Sequence, residues 1–283
     1  MKQGEAAYVD KEYEMALDFY KKAYKSDKKN IEALFWRGMS KIQLGDLDGA
    51  IKDMGMVLKE MPTHYGALVN RGNLYSVQGE YVNALSDFSA AEAVNSDSIS
   101  VYINRGHTYF LMKKFDLAIA DFTKAIKINP SYILSYHNRS ECYNYIGNIE
   151  GAMVDLEKII ELDSTDKISK INLAFCYIST KQYEKAALAY EKLYQSDKRN
   201  PYILNNYGYV KHILGDTKKG LDFIFESLRI LPSNAYPYKY LAEIYKQQNE
   251  IEKACEAVVT GLKLGFTNSY GNDLLDFQKS NCK

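Results

Sequence analysis

A small residue returns every 34 positions through the chain, at Ala16, Ala50, Ala84, Ala118, Ala152, Ala186, Gly220 and Ala254. A period of this length means a row of like units, each too thin to bury its own apolar face and stable only against its neighbours. A second small residue stands twelve positions before each: Gly4, Gly38, Gly72, Gly106, Ser140, Ala174, Gly208 and Ala242. Four positions after the first register the residues are large, at Tyr20, Met54, Phe88, Phe122, Leu156, Tyr190, Ile224 and Val258. Three positions before it most are large again, from Tyr13 and Leu47 to Ile251. Offsets of three and four put these on one helical face, and the small residues mark where two helices cross closely. Pro62, Pro130 and Pro232 fall between units, and LGD, QGE and IGN turns fall within them, so each unit reads as helix, turn, helix.

Residues 104–130, NRGHTYFLMKKFDLAIADFTKAIKINP, carry R-G-x2-Y, then A-x3-F, then P. In this pattern and in its period the chain resembles the tetratricopeptide repeat family. The resemblance implies an all-α chain, an α-solenoid wound as a right-handed superhelix of antiparallel helix pairs, with the first helix of each pair lining a concave groove. It assigns residues 1–268 to eight tandem repeats, the first one truncated, and residues 269–283 to a C-terminal capping helix built on Leu274 and Leu275. It also implies a non-enzymatic scaffold for protein–protein interaction that binds a peptide or protein partner.

Composition narrows the partner. With 36 Lys and Arg against 36 Asp and Glu the chain is neutral, a poor match to nucleic acid. No apolar run is long enough for a membrane span, and the first residues lack the apolar core of a secretory leader. Cys142, Cys176, Cys255 and Cys282 include no CxxC pair and are expected to be free thiols in a reducing, cytoplasmic setting. No phosphate loop or nucleophile elbow appears, so no enzyme activity and no cofactor are expected. Oligomeric state is left open.

The repeats also align with one another. Arg37, Arg71, Arg105 and Arg139 share one position of the first helix, and Asp53, Asp87, Asp121 and Asp155 share one position of the second, in the same four units. Where the Arg is replaced (Gln3, Leu173, Tyr207, Leu241) the Asp is replaced too (Phe19, Ala189, Phe223, Ala257). Charges that come and go together predict partly buried ion pairs between paired helices, because stranding one partner is costly.

On the family's geometry one groove position reads Asn70, Asn104, Asn138, Asn172 and Asn206. An amide offers a donor and an acceptor, so this asparagine ladder could hold the main chain of an extended peptide whatever its sequence. Asn73, His107, His137, Phe175 and Tyr209 join it as expected peptide-binding residues. Glu141 is the one formally charged residue among the groove positions of these five units, which favours a mostly uncharged ligand. Two other readings stand beside this one. The asparagines could instead tie neighbouring helices together, or His107, His137 and Glu141 could form a metal-dependent regulatory site. Partners on the convex face or at the ends of the superhelix form a further alternative.

Overall fold

The structure, a computed structural model, describes residues 1–282, and all regular structure among them is helical. The chain forms two compact units, Met1–Asn148 and Ile149–Lys283. The first contains α1 (Lys2–Val9), α2 (Tyr13–Ser26), α3 (Ile31–Gln43), α4 (Leu47–Glu60), α5 (Tyr65–Val77), α6 (Tyr81–Val94), α7 (Ile99–Leu111), α8 (Phe115–Ile128) and α9 (Ile133–Tyr145). The second contains α10 (Ile149–Leu162), α11 (Lys167–Ser179), α12 (Tyr183–Ser196), α13 (Pro201–Ile213), α14 (Thr217–Ile230), α15 (Tyr236–Gln247), α16 (Ile251–Lys263), α17 (Phe266–Tyr270) and α18 (Asp273–Asn281). Within each unit successive helices pack on one another in the order of the chain, which is the solenoid arrangement.

Local chemistry explains the element ends. The last residue of a repeat caps the next first helix: Asn30 accepts the Ala33 N–H at 2.8 Å, Asp166 the Ser169 N–H at 3.1 Å, and Asn200 the N–H groups of Tyr202 and Ile203. Inside each repeat the turn needs one left-handed residue. Gly45, Gly79, Gly147 and Gly215 supply it without strain, while Lys11, Lys113, Lys181 and Asn249 adopt it at φ of 57 to 63°.

The small residues of the first helices are seats for rings. A Cβ on Gly72 would stand 2.8 Å from the Phe88 ring, and one on Gly106 would stand 2.7 Å from the Phe122 ring. Both rings are almost fully buried. The seventh repeat differs, for Gly208 and Gly220 face each other's backbone: a Cβ on either would stand 2.6 Å from the other's carbonyl oxygen.

Three of the expected ion pairs lie within the first unit, and all three are two-pronged. Arg37 Nε donates to Asp53 Oδ2 at 2.8 Å, Arg71 Nε to Asp87 Oδ2 at 2.8 Å and Arg105 Nε to Asp121 Oδ2 at 2.8 Å, each with a parallel bond from NH2 to Oδ1. The three carboxylates are buried. Arg139 and Asp155 belong to different units.

Arg105 carries a further partner that the repeat alignment does not contain. Its NH1 donates to Glu92 Oε2 at 2.5 Å, while Tyr102 and Lys124 donate to Glu92 Oε1 at 3.1 and 3.2 Å. The Arg105 hydrogen bond, against an opposing contribution from burial, draws the Glu92 carboxyl down from 4.5 to about 2. A carboxyl with a depressed folded pKa adds stability above its unfolded pKa and loses it as pH falls through the folded one. Glu92→Gln is therefore expected to melt below the parent at neutral pH. Its melting temperature should also fall less than the parent's between pH 4.5 and about 2, read by thermal melts across that range.

The C-terminal end corrects one expectation. Cys255 of α16 and Cys282, just after α18, form a disulfide across 27 residues, so two of the four cysteines are not free thiols and the argument for a reducing compartment loses its basis. The spacing rule missed the bridge because it joins α16 to a segment beyond the last repeat, where the period carries no information. Cys142 and Cys176 are buried thiols, and burial pushes their pKa values up to about 12 and about 11. The short helix α17 crosses the 268/269 boundary drawn from the period, and the capping helix proper is α18, whose buried Leu274 meets the α16 backbone at Gly261. No described helix is long and apolar enough to cross a membrane.

Candidate functional site

The second unit contains an apolar cavity of about 580 Å³ on the face of α11 that carries Asn172. Ile168, Ile171, Asn172 and Phe175 line it from α11, Tyr202, Asn205 and Asn206 from α13, and Tyr236 from α15. Side chains one turn apart on α11 project together because their spacing of three and four keeps them on one helical face. Asn200 and Asn234 close one edge and Tyr270 of α17 another. Phe175 and Tyr236 meet edge to face, their ring centroids 6.1 Å apart.

The asparagines here do different work. Asn206 is built into the protein: its Oδ1 accepts the Tyr240 hydroxyl at 3.2 Å and the Asn205 amide at 3.4 Å. Burial pushes the Tyr236 and Tyr240 hydroxyls up, so both stay protonated. Asn205 is 2% exposed, yet among the described residues its Oδ1 has no hydrogen-bond partner, a costly state for a buried acceptor. Asn172 is exposed at the cavity mouth, and its amide has no partner among the described residues.

Tyr209 and His212 are framework rather than lining. Tyr209 lies parallel to Tyr240 at 4.0 Å and donates to Glu243 at 2.8 Å. His212 is buried between Thr217 Oγ1 at 2.9 Å and Gln247 Oε1 at 3.0 Å.

In the first unit Asn70, Asn73, Asn104, His107, His137 and Asn138 lie on α5, α7 and α9. Asn70 turns its Nδ2 onto the Gly66 carbonyl of its own helix at 2.7 Å, so its donor is used. The amides of Asn73, Asn104 and Asn138 are half-buried and have no partner among the described residues. His107 is exposed and stacks on Phe110 at 6.3 Å. Among the described residues no three His, Cys, Asp or Glu side chains come together to hold a metal ion, so His107, His137 and Glu141 do not assemble into the metal site considered from the sequence.

Sequence reasoning missed Asn205, Ile168, Tyr202 and Tyr236 as a group with Asn172. The signal was present, because all four occupy groove positions.

Models of the tetratricopeptide repeat match residues 32–64, 99–132, 133–166 and 169–200. Tetratricopeptide repeat protein 14 of Mus musculus is 36% identical over 83 residues, which is 27% of this chain, and the match spans 11% of that protein's length. Among solved structures, a tetratricopeptide repeat protein from Parabacteroides merdae has a TM-score of 0.68 at 19% identity, covering 88% of this chain and 98% of its own. The APC/C hetero-tetramer Cut9-Hcn1 has a TM-score of 0.59 at 16% identity, covering 96% of this chain and 53% of that one. At these identities the two structures are alike in fold.

Proposed function

Because the chain belongs to the tetratricopeptide repeat family, whose members generally mediate protein–protein interactions, we propose that it is a non-enzymatic scaffold whose second unit binds an extended, mostly uncharged peptide segment in the asparagine cavity. The exposed Asn172 amide, without a partner among the described residues at the mouth of this cavity, carries this reading. Its donor and acceptor can hold the N–H and C=O of an extended strand. Ile168, Ile171, Phe175 and Tyr236 offer apolar and aromatic surface for its side chains. Among the described residues no Lys, Arg, Asp or Glu lines the cavity, which disfavours a charged ligand and nucleic acid. Asn73, Asn104, His107, His137 and Asn138 are proposed as peptide contacts of the first unit on the same logic, and Asn70 and Asn206 as residues that shape their helices.

The test is a displayed random-peptide library selected on the parent protein, with the selected peptides titrated against two variants. Asn172→Ala should weaken them about twofold to tenfold, at about 0.5–1.5 kcal/mol for the lost bond, and leave the melting temperature nearly unchanged. Asn206→Ala should instead melt earlier, because it strands the Tyr240 hydroxyl. Unchanged affinity in the first variant would remove the cavity from the binding surface.

A further inference from the structure

The opposite face of α11 holds a second cavity, of about 740 Å³, walled by α12 and by Ile160 of α10. It lies at the repeat register that elsewhere holds an ion pair. In the second to fourth repeats that register is filled by the Arg–Asp forks. In the seventh it is filled by Tyr207 and Phe223, stacked at 5.3 Å. In the sixth it holds Leu173 and Ala189 and the space between α11 and α12 stays open, whereas the same combination in the eighth, Leu241 and Ala257, is packed into the core. Both residues are only half-buried, and Leu188 beside them is 66% exposed.

The rim of this apolar floor is positive. Lys167, Lys170, Lys185 and Lys192 line the cavity and no carboxylate does. Two nearby acids are engaged by backbone N–H groups, Asp163 with Thr165 at 2.8 Å and Asp166 at the start of α11, while Glu161 pairs with Lys158. Among the described residues no carboxylate pairs with Lys167, Lys185 or Lys192, in a chain whose total charge is zero. Bare apolar surface bordered by like charges on a neutral protein marks a site for a complementary surface.

We propose that this cavity is a second docking site, occupied by an acidic amphipathic helix of a partner protein. The helix lays apolar side chains of spacing three and four over Leu173, Ala189 and Leu188, and its flanking carboxylates meet Lys167, Lys185 and Lys192. The cavity runs between helices and is open along one side, which suits a segment that stays part of a larger body. This site is independent of the peptide cavity, so either can fail without the other.

The probe is a synthetic helix of 14 residues, the length of α12, with Leu and Phe on one face and Glu on the flanks, followed by fluorescence anisotropy. The parent should bind it, and added salt should weaken binding as screened charge requires. The same helix with Lys for Glu should bind about tenfold more weakly or worse. Leu173→Arg with Ala189→Asp installs the fork used in other repeats, fills the cavity and should abolish binding while peptides selected on the asparagine cavity bind as before. Lys167→Glu with Lys192→Glu alters exposed side chains alone and should weaken binding about tenfold or more, which keeps the test valid if the filled variant fails to fold. Failure of the acidic helix to bind, equal binding of the basic helix, full binding by the filled variant, or binding of sodium palmitate in its place would each overturn the proposal.

Discussion

Replacing Arg105 by Leu is expected to destabilise the first unit by about 3–5 kcal/mol, the cost of stranding a buried charge. Asp121 is 4% exposed and receives both prongs of the Arg105 guanidinium, while Glu92 receives a third bond from it. Adding Asp121→Ala should restore most of the loss, because Leu with Ala is the combination the chain uses in its sixth and eighth repeats. Recovery should stop short of complete, since Glu92 keeps Lys124 and Tyr102 but has lost its strongest partner. The simpler pair Arg71 and Asp87, with no third carboxylate, should recover more fully under Arg71→Leu with Asp87→Ala. Urea unfolding of single and double variants gives both coupling energies, and losses that merely add would refute the ion-pair account.

Gly220→Ala should destabilise the second unit by about 1–3 kcal/mol, the usual cost of overpacking. Alignment of the repeats points the other way, because seven of the eight carry Ala at this register and Ala is the better helix former. In the seventh repeat, however, the new Cβ would stand 2.6 Å from the Gly208 carbonyl oxygen and 3.0 Å from the His212 amide nitrogen. Both obstacles are backbone, so relief requires α13 and α14 to separate, disturbing the buried His212 contacts to Thr217 and Gln247. Urea unfolding decides the matter. A gain of about 1 kcal/mol, as helix propensity alone requires, would show that the two helices separate without loss.

The period, the helix pairs and the coupled Arg and Asp were all legible in the sequence. Each depends on spacing within a repeat, and eight copies of one spacing leave little freedom for any other packing. The sequence shows the small register as helix-crossing points, and the structure adds that Gly72 and Gly106 seat the Phe88 and Phe122 rings of the large register.

Tertiary structure alone decided the rest, wherever residues meet without a shared period. The Cys255–Cys282 bridge joins the last repeat to a segment outside the array. Glu92 reaches Arg105 from the preceding repeat, at a position no other unit reuses. The asparagine column looked uniform, yet Asn70 bonds its own helix, Asn206 is held by Tyr240, and the unmatched acceptor belongs to Asn205, one position away. An amide can donate and accept in many directions, so a column of identical residues fixes its chemistry only through the neighbours that satisfy it or leave it open. The lysine-rimmed cavity follows the same rule: Leu173 and Ala189 are readable as a missing ion pair, but only packing shows whether the gap closes.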